Sequence, residues 1–164
     1  MTQSPNRCPP PVRVSDLPVM RGSTGMPRVF RPRFEGRLRT VIGDAVGLTR
    51  FGVNLLTLEP GASSSVRHWH THEDEFVYIL SGAVTLITEA GSTKLDTGMA
   101  AGFPAGVPDG HYLINEGEAD AVLLEVGGRE AEDDCFYPDD DMQILHNPDG
   151  PAVFTRRDGT PYQD

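Results

Sequence analysis

The feature that most constrains this chain is the regular punctuation of short apolar runs by glycine and proline between residues 38 and 126. Residues 38–42 and 51–59 are rich in aliphatic and β-branched side chains, and the turn pair Pro60-Gly61 closes the second run. Further runs at 76–80, 83–88, 94–95, 99–103, 111–115 and 121–126 are separated by Gly82, Gly91, Gly98, the loop at 104–110 and Gly117. Runs of strand length bounded by such turn signals predict about eight short strands in an all-β sandwich or barrel. No helical period competes with this pattern. The 18 glycines and 14 prolines among 164 residues point the same way, toward turns rather than long helices. Residues 76–80 are apolar at every position. A strand of that kind is expected to be covered on both faces, one by the barrel interior and the other by the arm or a partner subunit.

Three of the five histidines fall within five positions, at His68, His70 and His72. In a strand, residues two apart share a face, so His68 and His70 present their imidazoles together. Glu75 follows immediately before the apolar run. Two imidazoles and a carboxylate on one wall form a ligand set for a divalent metal. An isolated His-x-His is more often a pair of solvated loop histidines. The clustering, the placement of Glu75 and a further histidine at His111 favour the metal.

The spacing carries a resemblance. Pro60-Gly61 is followed after six residues by His68-x-His70, after four more by Glu75 and after six more by Gly82. Gly98 is followed after five residues by Pro104-x-Gly106, after four by His111 and after three by Asn115. This pair of motifs resembles those of the cupin superfamily over about residues 50 to 127, and is similar to the small bacterial single-domain cupins of the conserved-barrel type. It departs from the commonest form by a Gly106-to-His111 gap of four residues rather than two, and by one extra residue before His68. The resemblance implies a double-stranded β-helix, or jelly-roll barrel, with His68, His70, Glu75 and His111 as the four protein ligands of one divalent transition metal. Such a borderline nitrogen and oxygen set suits Fe, Mn, Zn, Ni or Cu(II). Asn115 matches a turn-forming position. His72 is expected to orient a ligand or to lie in solvent, and Tyr78, Phe103 and Tyr112 to line a pocket or serve as plain core. Trp69 alternates with the ligands and is expected to pack in the scaffold, and His146 to lie at the surface.

The segments outside the barrel read differently. Residues 1–33 hold seven of the prolines and form an extended arm, residues 34–128 the barrel, and residues 129–164 an acidic tail that packs on it. Ten arginines against four acids lie in residues 1–67, whereas four cations against twenty acids lie in the remainder, for a net charge of -10. That balance disfavours nucleic acid and anionic membrane as partners. A basic arm lying over an acidic body, its own or a partner's, explains the asymmetry. No apolar stretch approaches the length of a membrane helix, and the N-terminus has no apolar signal core, so the expected location is cytoplasmic. Cys8 and Cys135 are expected to be free thiols in a reducing compartment.

The expected function is a mononuclear metal-dependent enzyme on a small organic molecule, of dioxygenase, isomerase or lyase type, with Glu75 as a possible base besides being a ligand. The alternative is a non-catalytic small-ligand-binding or sensing module with a structural metal; a storage role ranks last. A homodimer is expected, because an exposed apolar sheet face is costly.

Overall fold

The structure, a computed structural model, describes residues 8–23 and 25–163; the first seven residues of the arm and Thr24 lie outside the described residues. The strands are β1 (Val19–Arg21), β2 (Arg37–Val41), β3 (Phe51–Leu58), β4 (Trp69–His70), β5 (Glu75–Ser81), β6 (Ala83–Thr88), β7 (Gly91–Asp96), β8 (Ala100–Phe103), β9 (Tyr112–Ile114), β10 (Ala121–Gly128), β11 (Cys135–Tyr137), β12 (Met142–Leu145) and β13 (Val153–Thr155). Among the described residues, helix is limited to one α-turn at Ile42–Ala45 and 3-10 turns at Val14–Asp16 and Arg28–Phe34.

One wall of the barrel is a six-stranded antiparallel sheet in the order β1-β2-β3-β10-β5-β8. The other is formed by β7-β6-β9 and β13-β12-β11-β4. Two isolated bridges, Ser63 to Ile114 and His68 to His111, join these smaller sheets across the segment that leads into β4. This is the all-β barrel that the turn pattern predicts, in the jelly-roll form that the family resemblance implies. Gly82 turns β5 into β6 at φ 76°, and a Cβ there would lie 2.9 Å from the Asp120 carbonyl, so only glycine fits.

The barrel core consists of inward residues of the facing strands, with Leu56, Leu58, Ile79, Ala121 and Leu123 fully buried. Along β5 the pleat sends Val77 and Ile79 inward. Phe76, Tyr78 and Leu80 point outward at 42%, 38% and 45% exposure. The described chain therefore does not cover the outer face of β5, where covering on both sides is expected from sequence.

A second core lies outside the barrel. Met26 and Phe30 of the arm, with the adjoining Phe34, meet Val66, Cys135, Tyr137 and Met142, with Ile144, Phe154 and Tyr162 against them. Arm and tail are thus packed onto each other as well as onto the barrel. The arm is not extended throughout: β1 pairs with β2, and Arg28–Phe34 winds into 3-10 turns. Arg33 of the arm pairs with Asp140 of the tail at 2.7 Å, and Arg67 grips Asp139 through two 2.8 Å hydrogen bonds and Glu89 through one of 2.6 Å. Basic N-terminal half and acidic C-terminal half meet within one chain. Cys8 is exposed and Cys135 buried, and both are free thiols.

Candidate metal centre

Four side chains converge from three places in the barrel. His68 and His111 are cross-strand partners: the His111 N–H donates to the His68 carbonyl at 2.8 Å, and the His68 N–H to the His111 carbonyl at 3.2 Å. His70 lies in β4, held by β11 through its pairing with Cys135. Glu75 opens β5, paired with Phe103 of β8 on one side and Gly127 of β10 on the other. The Glu75 Oε2 atom lies 2.9 Å from His111 Nε2, 3.3 Å from His68 Nε2 and 3.8 Å from His70 Nε2. The four residues predicted as ligands are thereby brought together.

The outer ring nitrogens fix how the inner ones are presented. His68 Nδ1 lies 3.0 Å from the Val66 carbonyl, and His70 Nδ1 lies 2.6 Å from Asp133 Oδ2. A carbonyl and a carboxylate accept, so each Nδ1 donates its proton outward, and in the neutral ring Nε2 is the lone pair. Those lone pairs face a carboxylate oxygen. Bare, the arrangement is repulsive, and a cation at the centre of the group relieves it. Without an ion, a proton on one ring takes part of that role. Burial lowers the His68 pKa, but hydrogen bonding and charge at Glu75 outweigh it and raise it, whereas burial prevails at His111 and pushes it down. Burial also pushes the Glu75 carboxyl up, yet the rings of His111 and His68 reverse this and hold it well below the usual carboxylate range. A carboxylate kept ionised among three imidazoles is a donor set that fits a divalent transition ion.

Packing holds the rings in place. Phe103 stacks on His111 with ring centroids 3.5 Å apart and an interplanar angle of 3°, and Tyr137 stacks on His68 at 5.9 Å. The longer loop before His111 is tied down at several points. Ala105 N–H donates to Asp74 Oδ1 at 2.8 Å and Gly106 N–H to the His70 carbonyl at 2.9 Å. A Cβ on Gly110 would come within 2.8 Å of Pro138, so the tail closes onto the residue before His111.

The centre lies between two hollows. A small one of about 70 Å³ is lined by Trp69, Glu73, Pro104 and Asp109 together with His70, Glu75 and His111. A larger one of about 200 Å³ lies in the barrel interior and reaches His68, Glu75 and His111. Phe103 lines both, as expected of a pocket residue. The other expected pocket residues lie elsewhere. Tyr78 is on the outer face of β5, since the pleat alternates it with the buried Val77 and Ile79. Tyr112 lines a separate surface groove with Arg67 and Asp139. His72 is exposed, with Nδ1 2.8 Å from Thr71 Oγ1, and orients no ligand directly. Trp69 packs in the scaffold by stacking on Phe136 at 4.9 Å, while also bordering the small hollow. Asn115 is fully buried; its side chain donates to the Leu58 and Ala119 carbonyls and accepts from Gly117 N–H, a turn-holding role. His146 is exposed.

Two carboxylates near the centre were not legible as such. Asp133, from the acidic tail, takes His70 Nδ1 on one oxygen and the His72 and Glu73 N–H groups on the other, at 2.8 and 3.2 Å. Glu73 places a carboxylate oxygen within 4.8 Å of ligand atoms of His70 and Asp133. Burial, and then the charge of Asp133, raise its pKa. Glu73 is two residues before Glu75, which is the one sequence cue to it; Asp133 lies in an acidic run where nothing singles it out.

The Cupin domain family matches residues 54–127. The structure is similar to that of a protein from Silicibacter pomeroyi described as a sugar phosphate isomerase from a cupin superfamily, with 40% identity, a TM-score of 0.85, and coverage of 94% of this chain and 97% of that one. It is similar to a protein from Acidithiobacillus ferrooxidans to which sugar phosphate isomerase activity is provisionally assigned, with 32% identity, a TM-score of 0.69, and coverage of 78% and 81%. The polyketide cyclase RemF from Streptomyces resistomycificus, at 17% identity and a TM-score of 0.59 over 74% of this chain and 80% of its own, shares the fold. No curated protein matches the sequence.

Proposed function

The chain belongs to the cupin superfamily, and from that premise we propose that it is a mononuclear metal-dependent enzyme of the isomerase type, acting on a small sugar phosphate. The observation that carries the reading is the convergence of His68, His70, Glu75 and His111 on one point that opens to two hollows. The name of the 40% identical relative favours isomerase chemistry over the dioxygenase and lyase types open to the same ligand set.

In this reading the four residues hold one divalent ion, which supplies Lewis-acid polarisation of a substrate carbonyl or hydroxyl when bound. The remaining work falls to the chain. Asp133 and the Val66 carbonyl keep the imidazoles in the binding tautomer. Phe103 fixes His111 by stacking on its ring. An aldose–ketose type of isomerisation moves a proton between neighbouring carbons, which requires a group that accepts and returns it. Two carboxyls of the small hollow lie outside the four-residue set, Glu73 and Asp109. Asp109 Oδ1 is taken by Glu89 N–H at 2.7 Å, and Glu73, beside His70, is the one assigned this role. The same reading includes pairing of two chains through the exposed Phe76, Tyr78 and Leu80 face, and a solution mass of one chain removes that part.

Two measurements test the proposal together. Metal content of the purified protein should be about one ion per chain, and His68→Ala and His111→Ala should each lose it. Sugar phosphates incubated in deuterated water should interconvert and acquire deuterium at the carbon next to the carbonyl. Full metal in both variants rejects the site. A filled site with no interconversion or deuterium uptake favours the second reading, a ligand-binding module, which the larger hollow also supports.

A further inference from the structure

The larger hollow contains a charge arrangement that the metal centre does not use. Arg37 and Arg39 stand two apart in β2 and therefore share a face. Their cross-strand partners are Leu58 and Leu56, both fully buried in the barrel core. Direct partners point to the same side of a sheet, so both arginines occupy positions whose neighbours are core leucines. Arg37 is only 7% exposed. Both line the interior hollow that reaches His68, Glu75 and His111.

Buried guanidinium groups are ordinarily paired. These are not. Among the described residues neither makes a hydrogen bond or an ion pair, and the Nε atoms of both are buried without a partner. Phe34 lies against one face of the Arg37 guanidinium at 5.9 Å, which leaves the edge N–H groups available. The one acid of the hollow outside the ligand set is Glu125, and its Oε1 already accepts from Asn54 Nδ2 at 2.8 Å. Glu75 also lines the hollow but belongs to the metal centre, so two guanidiniums meet one remaining carboxylate. Ser64 adds a donor: its Oγ accepts from Leu113 N–H at 3.0 Å, so its own proton is available to the hollow. The hollow is thus rich in donors and poor in acceptors.

We propose that Arg37 and Arg39, with Ser64, form the site that holds the phosphoryl group of the substrate inside the barrel, opposite the metal centre. The proposal rests on the sugar phosphate reading and adds what anchors the substrate and from which side. Planar guanidinium forks match phosphate oxygens in pairs. A phosphoryl dianion offers the acceptors that both forks and the serine lack. Anchored there, a short substrate extends toward His68, Glu75 and His111, so its phosphoryl end and its reacting end are told apart by chemistry. A hollow of about 200 Å³ admits a small metabolite and excludes polymers.

The test is binding of inorganic phosphate, which requires no turnover. The full-length, metal-loaded protein is titrated calorimetrically with inorganic phosphate and, separately, with acetate at matched ionic strength. The expected result is one phosphate site per chain, weakened about tenfold or more by Arg37→Gln and by Arg39→Gln, with metal content unchanged. If Arg37→Gln fails to fold, Arg39→Gln carries the same test, and Arg37→Lys should retain part of the affinity. Phosphate binding that both glutamine variants leave intact would overturn the proposal, because the anion would then sit on the metal or elsewhere. So would acetate bound in preference to phosphate, or no phosphate binding at all. A protein that binds phosphate through these arginines but isomerises nothing rejects the isomerase reading and leaves this one standing. One that isomerises sugar phosphates with unaltered KM in both variants does the reverse.

Discussion

The barrel core and the core between arm and tail differ in how their residues reach one another. In the barrel, Leu56, Leu58, Ile79 and Leu123 come from strands whose pleat alternates inward and outward, so neighbours in the core are neighbours in the sheet. In the second core, Met26, Phe30 and Phe34 are delivered by 3-10 turns and meet Cys135, Tyr137 and Met142 from the other end of the chain. The first is set by periodicity, the second by the closing of two termini. The functional division follows the same line. The barrel carries all four metal-ligand candidates, and the second core carries two groups that steady them: Tyr137 beneath His68 and, just before β11, Asp133 behind His70. Phe34 also stands against Arg37 at the interior hollow. The second core is therefore a support for the centre, not merely a cap on the barrel.

The strongest way to break that comparison is to remove the arm. A chain lacking residues 1–33 loses Met26 and Phe30 from the second core, and each buried side chain of this size contributes about 1.5–3 kcal/mol. The expected loss is about 3–6 kcal/mol, read from the denaturant midpoint. An unchanged midpoint would mean that the second core adds no stability and that the barrel stands alone.

A smaller effect sharpens the division of labour. Asp133→Asn preserves shape but removes the charge that accepts from His70 Nδ1. Outer partners of metal-bound histidines typically contribute 10–100-fold to metal affinity, so the variant should bind its ion about 10–100-fold more weakly while unfolding near the wild-type midpoint. Competition with a chelator of known affinity measures the first quantity. Equal affinity would show that the tail packs beside the centre without tuning it.

Why the barrel was legible and its supports were not has a physical reason. The strands, the turns and the spacing of His68, His70, Glu75 and His111 are local patterns, with periods of two residues and glycines where the chain must reverse. Asp133 meets His70 across 63 positions, and nothing in the run of acids around it distinguishes a carboxylate that orients an imidazole from one in solvent. Tyr78 illustrates the limit from the other side. Composition suggests a pocket aromatic, but one step of the pleat sends it to the outer face. Arg37 and Arg39 were visible only as charges in a short strand; their register against Leu58 and Leu56 is what turns them inward.

The smallest expected effect concerns the clasp between the two regions. Arg67, adjacent to His68, grips Asp139 of the tail through both carboxylate oxygens. That hydrogen bonding holds the Asp139 carboxyl below its usual range. A carboxylate whose pKa is lower in the folded chain adds stability above its unfolded pKa of about 3.9 and loses it as pH falls through the folded value. Asp139 is more than half exposed, so solvent screens the pair and its contribution stays under about 1 kcal/mol. Asp139→Asn should therefore lower the midpoint slightly at pH 7, and the difference from wild type should vanish in acid, below the depressed pKa. Added salt should shrink it at neutral pH as well, because the pair is open to water. A difference that persisted in acid would assign the effect to lost packing at the tail, and the tie between tail and barrel would then be apolar rather than ionic.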